Sequence, residues 1–145
     1  MLKGIHHLGY AVEDLEEAAR FYRENFGAKV ADAEVVEAQG VATAMVRVGD
    51  SRIELLQPTR PDSPVGKFLE KRGQGFHHTA FEVDDIEAEL KDLASRVELI
   101  DETPRNGAEG TRTAFVHPKS TFGVLIELVE LCPARADRKG RRHGH

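Results

Sequence analysis

The sequence predicts an α+β fold of two paired βαβββ modules, and an internal repeat is the main observation behind this prediction. Residues 5–18 and 76–89 align with five identities in fourteen positions, at a constant offset of 71. A second pair of segments, Ile53-Glu54-Leu55 and Ile126-Glu127-Leu128, recurs at an offset of 73. Because 145 residues suit one domain, the two copies are expected to be halves of a single domain.

The first module opens with a strand near residues 4–12, where apolar residues recur with period two. Asp14 followed by Glu17 has capping-box spacing and predicts the start of a helix with an apolar stripe. Gly27 suits the end of that helix. Three strands are expected to follow near 28–38, 41–48 and 52–57, the last two joined by a turn at Gly49-Asp50.

The second module repeats this order after a proline-rich passage with a short helix near 65–72. Its first strand is expected near 75–83, and Asp84 with Glu87 predicts the start of its helix. Its remaining strands are expected near 97–101, 112–117 and 122–130. The domain is predicted to span 1–133, with modules at about 3–60 and 74–131.

Charge and composition exclude several function classes. Residues 134–145 hold five basic residues and one acidic residue and are predicted to form a solvated, disordered tail with a net charge of +4. Because the whole chain has a net charge of −5, the remaining residues carry −9. An acidic body argues against nucleic-acid binding, and no apolar stretch approaches the roughly 20 residues of a membrane span. The N-terminus lacks a signal-peptide core and Cys132 is the single cysteine, so we expect a cytoplasmic protein.

Two histidines and two glutamates recur at equivalent points of the repeat. Strand alternation places His7 and His78 beside small residues, on the face opposite the large apolar side chains. Glu54 and Glu127 interrupt otherwise apolar strands, where a lone carboxylate is unfavourable unless something positive compensates it. One such histidine alone is usually structural, but the duplicated set predicts that all four side chains converge on a divalent cation. The same alternation places His6 and His77 on the core side or at an interface.

Between Ile5 and Glu130 the chain resembles the vicinal oxygen chelate superfamily and, within it, the methylmalonyl-CoA epimerase family. The segments that carry the resemblance are Ile5-His6-His7-Leu8-Gly9, Ile53-Glu54-Leu55-Leu56-Gln57-Pro58, Asp62-Ser63-Pro64 with Lys67-Phe68-Leu69, Gly75-Phe76-His77-His78, and His117-Pro118-Lys119-Ser120 with Gly123-Val124-Leu125-Ile126-Glu127-Leu128. The resemblance implies a curled mixed sheet around a metal-binding cleft, with His7, Glu54, His78 and Glu127 as ligands.

The resemblance also implies an activity, a cofactor and partners. The expected reaction interconverts (2R)- and (2S)-methylmalonyl-CoA through an enolate that a divalent cation stabilises as a Lewis acid. Co²⁺ ranks first, while Mn²⁺, Ni²⁺ and Zn²⁺ fit the same mixed nitrogen and oxygen donor set. The expected partners are an acyl-CoA substrate and a second copy of the chain in a homodimer.

Epimerisation needs proton transfer on both faces of the α carbon. Some relatives place a catalytic glutamate on the third strand, where this chain has Thr43, and a threonine hydroxyl is a poor base. We therefore predict that Glu54 and Glu127 are both metal ligands and alternating bases. The alternative is that Glu54 only binds the metal, while Glu127 works with a water or another residue.

Other functions stay open at this point. A glyoxalase I-like isomerase would use a similar ligand set on a glutathione adduct, and a metal-free binding protein of the same superfamily would have lost ligands. An extradiol dioxygenase would need only three ligands on iron. Arg105, Arg112 and Lys119 are candidate partners of coenzyme A phosphates or ordinary surface charges. His117 is either structural or close to the site, and Cys132 has no evident activating neighbour.

Overall fold

The computed structural model describes residues 1–131, so the predicted tail at 134–145 and Cys132 lie outside the described residues. Within 1–131 the chain forms three helices and nine strands. In chain order these are β1 (Leu2–Ala11), α1 (Leu15–Phe26), β2 (Lys29–Val30), β3 (Glu34–Val36), β4 (Val41–Val48), β5 (Ser51–Pro58), α2 (Pro64–Arg72), β6 (Gly75–Val83), α3 (Ile86–Leu93), β7 (Arg105–Asn106), β8 (Arg112–Val116) and β9 (Ile126–Glu130).

The strands form one mixed sheet in the order β2-β4-β5-β1-β6-β9-β8-β7, with β3 also paired to β4. In each module the first strand pairs in parallel with the last, β1 with β5 and β6 with β9. The modules join through the antiparallel pair of β1 and β6. The α+β class and the two paired modules in a curled mixed sheet are therefore confirmed, and the four central strands are the first and last strands of the two modules.

The helices begin and end close to the predicted residues. Asp14 caps α1 by accepting a hydrogen bond from the Glu17 amide at 3.0 Å, and Gly27 ends it in the left-handed conformation. The cap of α3 is Asp85, one residue later than predicted, because its carboxylate accepts from the Ala88 amide. Among residues 1–131, no helix is long and apolar enough to cross a membrane.

Three predicted strands differ from the structure. The strand expected at 28–38 is split into β2 and β3, both paired with β4. The segment 97–101 is not a strand, because two consecutive amides, those of Ile100 and Asp101, bond to one carbonyl and leave only an isolated bridge at Leu99. The strand expected at 122–130 starts only at Ile126, since positive φ values at 122 and 123 interrupt extended backbone.

The apolar core lies between the helices and one face of the sheet. Helix α1 packs Leu15 and Ala19 against Leu55 of β5, and α3 packs Ile86 and Leu90 against strands β8 and β9. Because side chains alternate along a strand, the residues next to these core positions point to the opposite face. That opposite face of the central strands carries the candidate functional residues.

Candidate metal centre

The structure brings the four predicted ligands together on the central strands. In one row across the sheet, Gly9 of β1 separates Glu54 of β5 from His78 of β6. In the next row, Ala80 of β6 separates His7 of β1 from Glu127 of β9. Gly9 and Ala80 are themselves 71 positions apart, so the two rows are copies of each other. The repeat therefore produces a cluster with approximate twofold symmetry.

Gly9, which lies between two candidate ligands in the first row, has no room for a side chain. A β-carbon on Gly9 would lie 2.2 Å from Cε1 and 2.4 Å from Nδ1 of His78. Such distances are impossible for real atoms, so any side chain at this position would displace the imidazole ring. Gly9 therefore leaves room for the His78 side chain itself.

The ligand atoms are close enough to share one ion. One donor atom from each of the four residues lies within 4.8 Å of all the others. The Nε2 atoms of His7 and His78 are 3.0 Å apart, and each lies 3.1 Å from Oε1 of Glu127. Oε1 of Glu54 lies 3.3 Å from the His7 Nε2 and 3.8 Å from that of His78. Two imidazoles and two carboxylates at these distances suit a divalent transition metal or Zn²⁺.

The hydrogen bonding of the cluster fits a cation as well. Glu127 is 3% exposed, and among residues 1–131 no group donates an aligned hydrogen bond to its Oε1. A buried carboxylate oxygen without a donor is strongly unfavourable, and native proteins rarely leave one. A cation at the centre of the cluster would satisfy it.

Without a metal, protons supply the positive charge. Burial opposes protonation of His7, but the Glu127 and Glu54 carboxylates outweigh burial and raise the pKa of His7 to about 10. Burial likewise opposes ionisation of Glu127, yet contacts with His7 and His78 hold its pKa well below the ordinary range. A cation must therefore displace a proton from His7 on binding.

The predicted core-side position of His6 and His77 is wrong, and β-bulges are the reason; the predicted alternative, a place at an interface, stays a prediction. On β1, Ile5 pairs with Phe81 and His7 with the adjacent Ala80, so His6 is an extra residue. On β6, Gly9 pairs with His78 and Tyr10 with Phe76, so His77 is the extra residue. A bulge breaks strict alternation, and here it turns both histidines toward the ligands. The Nδ1 atoms of His6 and His7 are 2.8 Å apart, as are those of His77 and His78.

Sequence reasoning also missed two polar residues that line the cavity beside the cluster, Gln39 and Glu109. Both precede a glycine and lie 70 positions apart, so the repeat contained a signal for them. Glu109 has a φ of 57°, a left-handed conformation that is unfavourable for residues other than glycine and tends to occur at functional sites. Thr43 is buried in β4, at 4% exposure.

The three candidate phosphate partners separate into two groups. Arg112 forms ion pairs with Glu87 and Glu130, and Arg105 pairs with Asp101 at 3.0 Å. These contacts favour a structural role for both arginines. His117 caps a short 3₁₀ turn by accepting a hydrogen bond from the Lys119 amide, and its other ring nitrogen lies 3.7 Å from Glu98, so its partners are not the four candidate ligands.

Lys119 lines a separate basic cleft of about 680 Å³ between α2 and the connection from β8 to β9. In the part of the chain that the structure describes, the ammonium groups of Lys67, Lys71 and Lys119 form no ion pair with a carboxylate. The cleft is lined by Lys67, Phe68, Lys71, Arg72, Phe76, His77, His117, Pro118, Lys119, Gly123, Val124 and Leu125. It reaches His77, which contacts the candidate ligand His78, so the ring of His77 lies between the cleft and the cluster.

Comparisons with known proteins agree with this geometry. The profile of the Glyoxalase/Bleomycin resistance protein/Dioxygenase superfamily matches residues 6–115. The mitochondrial methylmalonyl-CoA epimerase of Homo sapiens is 40% identical over 126 residues, covering 86% of this chain and 72% of the relative. The ethylmalonyl-CoA/methylmalonyl-CoA epimerase of Cereibacter sphaeroides is 38% identical over 135 residues, covering 90% of this chain and all of the relative. A solved structure of methylmalonyl-CoA epimerase with methylmalonyl-CoA and NH4+ superposes with a TM-score of 0.88 at 42% identity, covering 92% of this chain and 97% of that one.

Proposed function

The chain belongs to the Glyoxalase/Bleomycin resistance protein/Dioxygenase superfamily, and we propose that it is a metal-dependent methylmalonyl-CoA epimerase. The observation that carries this proposal is the buried cluster of His7, Glu54, His78 and Glu127 in a chain about 40% identical to named epimerases over most of its length. A metal-free binding protein has no need for four convergent ligands. The relatives named above favour an acyl-CoA substrate over the glutathione adduct of a glyoxalase.

The reaction removes the proton from the carbon between a thioester and a carboxylate and returns it on either face. A bound divalent cation supplies the positive charge that stabilises the enolate form of the substrate. The protein groups hold that charge in a buried, preorganised position, where electrostatic stabilisation is stronger than in water.

We propose Glu54 and Glu127 as the two bases. Both carboxylates are buried at the same cluster, one on the last strand of each module, and approximate twofold symmetry relates them. Two symmetry-related carboxylates can approach a substrate from opposite sides, as epimerisation requires. Glu109 borders the same cavity and is an alternative second proton-transfer group, whereas the Gln39 amide beside it can only form hydrogen bonds.

Glu54→Gln tests the two-base mechanism, because the amide oxygen can still bind a metal but cannot accept the proton. In the metal-loaded variant we expect a severe loss of epimerisation, with α-proton exchange retained for only one stereoisomer. Glu98→Gln is the matched control, since Glu98 is exposed and contacts only His117 among ionisable side chains of the described residues. Near-normal epimerisation by metal-loaded Glu54→Gln would refute the role of Glu54 as a base.

The overall function is tested by proton NMR of (2R)- and (2S)-methylmalonyl-CoA in D₂O with protein loaded with Co²⁺, Mn²⁺, Ni²⁺ or Zn²⁺. Conversion of each isomer to the other, with deuterium entering the α position, is the expected result. An unchanged substrate with every metal would refute the proposed function. Conversion of a glutathione hemithioacetal instead would assign the chain to the glyoxalase type.

We further propose that the basic cleft binds the phosphate groups of the coenzyme A part of the substrate. Lys67, Lys71 and Lys119 line the cleft together with aromatic and aliphatic side chains. The guanidinium of Arg72 lies 5.9 Å from the centre of the Phe68 ring, so a positive charge and an aromatic surface lie side by side. Phosphates and an adenine ring need this combination of charges and apolar surface.

Lys119→Ala is expected to raise KM for methylmalonyl-CoA several-fold and to leave kcat nearly unchanged, because it removes binding energy distant from the reacting carbon. The matched control is Lys91→Ala, on α3, away from the cleft. With methylmalonyl-pantetheine, which lacks the phosphates, both variants should match the wild type. An equal rise in KM for Lys91→Ala would show a general charge effect and would refute the proposal that the cleft binds the coenzyme A phosphates.

Several finer expectations are part of the same proposal. We propose Co²⁺ as the native metal, a homodimer as the assembly and the cytoplasm as the location. The predicted domain boundary at residue 133 lies outside the described residues and stays a prediction. Metal analysis of protein purified without added metal tests the first. Light scattering tests the second, since the monomer and the dimer differ twofold in mass.

A further inference from the structure

We propose that His6 and His77 are positioning residues for the metal centre. Each accepts a hydrogen bond from Nδ1–H of the next histidine in the chain and so directs the Nε2 lone pair of His7 or His78 to the cation. The inference rests on the metal site of the proposed function but is independent of the substrate and of the reaction.

The geometry is the same in both modules. Nδ1 to Nδ1 distances are 2.8 Å in both histidine pairs, and both pairs of rings meet edge-on with centroids 5.1 Å apart. His6 is 5% exposed and His77 is 8% exposed, so water does not readily replace either partner. Each pair depends on a β-bulge, one on β1 and one on β6, that brings two consecutive side chains to one face. The two bulges lie at duplicated positions and produce the same contact between adjacent histidines, which indicates that the two contacts have the same function.

The proton count determines the direction of the hydrogen bonds. A neutral imidazole has one N–H, and a ring that binds a cation through Nε2 must carry this proton on Nδ1. The Nε2 atoms of His7 and His78 face Glu127 at the centre of the cluster, so a cation held there by both Nε2 atoms leaves the two Nδ1 atoms as the donors. The neighbouring Nδ1 atoms, on His6 and His77, must then be acceptors. The metal centre thus selects one tautomer for all four rings.

Contacts outside the cluster hold the two acceptors in place. The ring of Phe68 packs edge-on against His77 with centroids 4.9 Å apart. The guanidinium of Arg52 donates a hydrogen bond to the main-chain carbonyl of His6 at 3.2 Å, at the residue that forms the bulge. Metal-binding histidines usually donate their second N–H to a carboxylate, a carbonyl or water, and this partner fixes the ring. In this protein an adjacent neutral histidine takes that position.

The test compares two substitutions at each position. Phenylalanine retains the ring and its packing but removes the acceptor. Asparagine is smaller, yet its Oδ1 lies at the same distance from Cβ as the histidine Nδ1 and can accept the same hydrogen bond. Co²⁺ affinity of His6→Phe, His6→Asn, His77→Phe and His77→Asn is measured by competition with a chelator, alongside thermal unfolding of each metal-free protein. His117→Phe is the control, because His117 accepts a backbone hydrogen bond but does not touch the cluster.

We expect the phenylalanine variants to bind Co²⁺ 10- to 100-fold more weakly than the wild type, and the asparagine variants to recover most of the difference. His117→Phe should bind like the wild type. Equal affinity in the phenylalanine variants and the wild type would overturn the proposal. So would equal loss in phenylalanine and asparagine variants, because a role in packing alone would give that result.

A second measurement does not depend on the variants folding. Long-range ¹H–¹⁵N spectra of Zn²⁺-loaded wild-type protein should show the proton on Nδ1 of His7 and His78, and on Nε2 of His6 and His77. A proton on Nδ1 of His6 or His77 would overturn the proposal. Because no substrate is present, a protein that gives the expected spectra but leaves methylmalonyl-CoA unchanged would refute only the proposed function.

Discussion

Replacing His7 with alanine should weaken cation binding and destabilise the protein even without metal. His7 lies between the two carboxylates, with Nε2 at 3.3 Å from Glu54 and 3.1 Å from Glu127. In the metal-free protein the ring of His7 is protonated, because contacts with the two carboxylates outweigh burial and raise its pKa to about 10. The variant leaves those carboxylates with His78 as the remaining histidine of the cluster.

The structure gives the magnitude of this effect. Donor oxygens of Glu54 and Glu127 lie no more than 4.8 Å apart. Two unit charges at that distance repel by about 3.5 kcal/mol at an effective dielectric constant of about 20. Uptake of a proton by one carboxylate would relieve part of this repulsion, so we expect a loss of about 2 kcal/mol. For a chain of this size that loss lowers Tm by about 4–8 °C.

The assay is thermal unfolding of His7→Ala, His78→Ala and the control His117→Ala, each with a chelator and with Co²⁺. At a metal concentration of about 100 times Kd, binding stabilises the wild type by about 2.7 kcal/mol, and the first two variants should lose most of this increment. His117→Ala should keep it, because His117 lies outside the cluster. Stoichiometric Co²⁺ with unchanged affinity in both His7→Ala and His78→Ala would refute the ligand assignment.

Three further perturbations have defined outcomes. Gly9→Ala should displace the His78 ring, destabilise the fold by about 1–3 kcal/mol in urea unfolding and reduce Co²⁺ affinity; unchanged affinity would contradict the close packing. Asp14→Ala should lower the free energy of unfolding by about 1 kcal/mol through loss of the α1 cap, with kcat unchanged. Between its ordinary pKa of 6.5 and the raised value of about 10, His7 holds a proton that the cation must displace, so affinity should rise with pH. Calorimetry of Co²⁺ binding in two buffers of different ionisation enthalpy should then detect the release of about one proton. Binding without proton release would contradict the raised pKa of His7.

The clustering of the four candidate ligands was predictable because a duplicated module places identical side chains at equivalent points. The 71-residue offset and the two-residue period of a strand were enough to identify His7 and His78 as a pair on one face of the sheet. Glu54 and Glu127 were recognisable as charged residues in otherwise apolar strands. The start and end of α1 could also be predicted from the sequence, since a helix cap depends on residues within one turn of the helix end.

The histidines beside the ligands were assigned to the wrong face because a bulge is a property of strand pairing. Nothing in the residues next to His6 distinguishes a bulge from regular alternation; the extra residue arises from the register of β1 against β6. The prediction of a strand at 97–101 was wrong for a related reason. Its residues suit a strand, but the neighbouring backbone offers one carbonyl to two of its amides, so a regular ladder does not form.

The differences between the modules are as informative as their identities. Met45 and Phe115 pair with Glu54 and Glu127, yet they lie 70 positions apart, whereas the two glutamates lie 73 apart. The second module therefore has three additional residues between these paired positions. Its last two strands are joined by residues 117–125, whereas the first module closes with a two-residue turn.

These additional residues lie in the connection from β8 to β9, which includes Lys119 and Val124 of the basic cleft. A single cation can be held by a symmetric set of ligands, but acyl-CoA is asymmetric and needs a phosphate-binding surface on one side only. We therefore expect transplanting the short β4–β5 turn in place of the β8–β9 connection to retain Co²⁺ binding and to raise KM for methylmalonyl-CoA. If this chimaera folds and keeps the wild-type KM, the cleft is not the coenzyme A site; if it loses Co²⁺ affinity, the connection supports the metal centre instead.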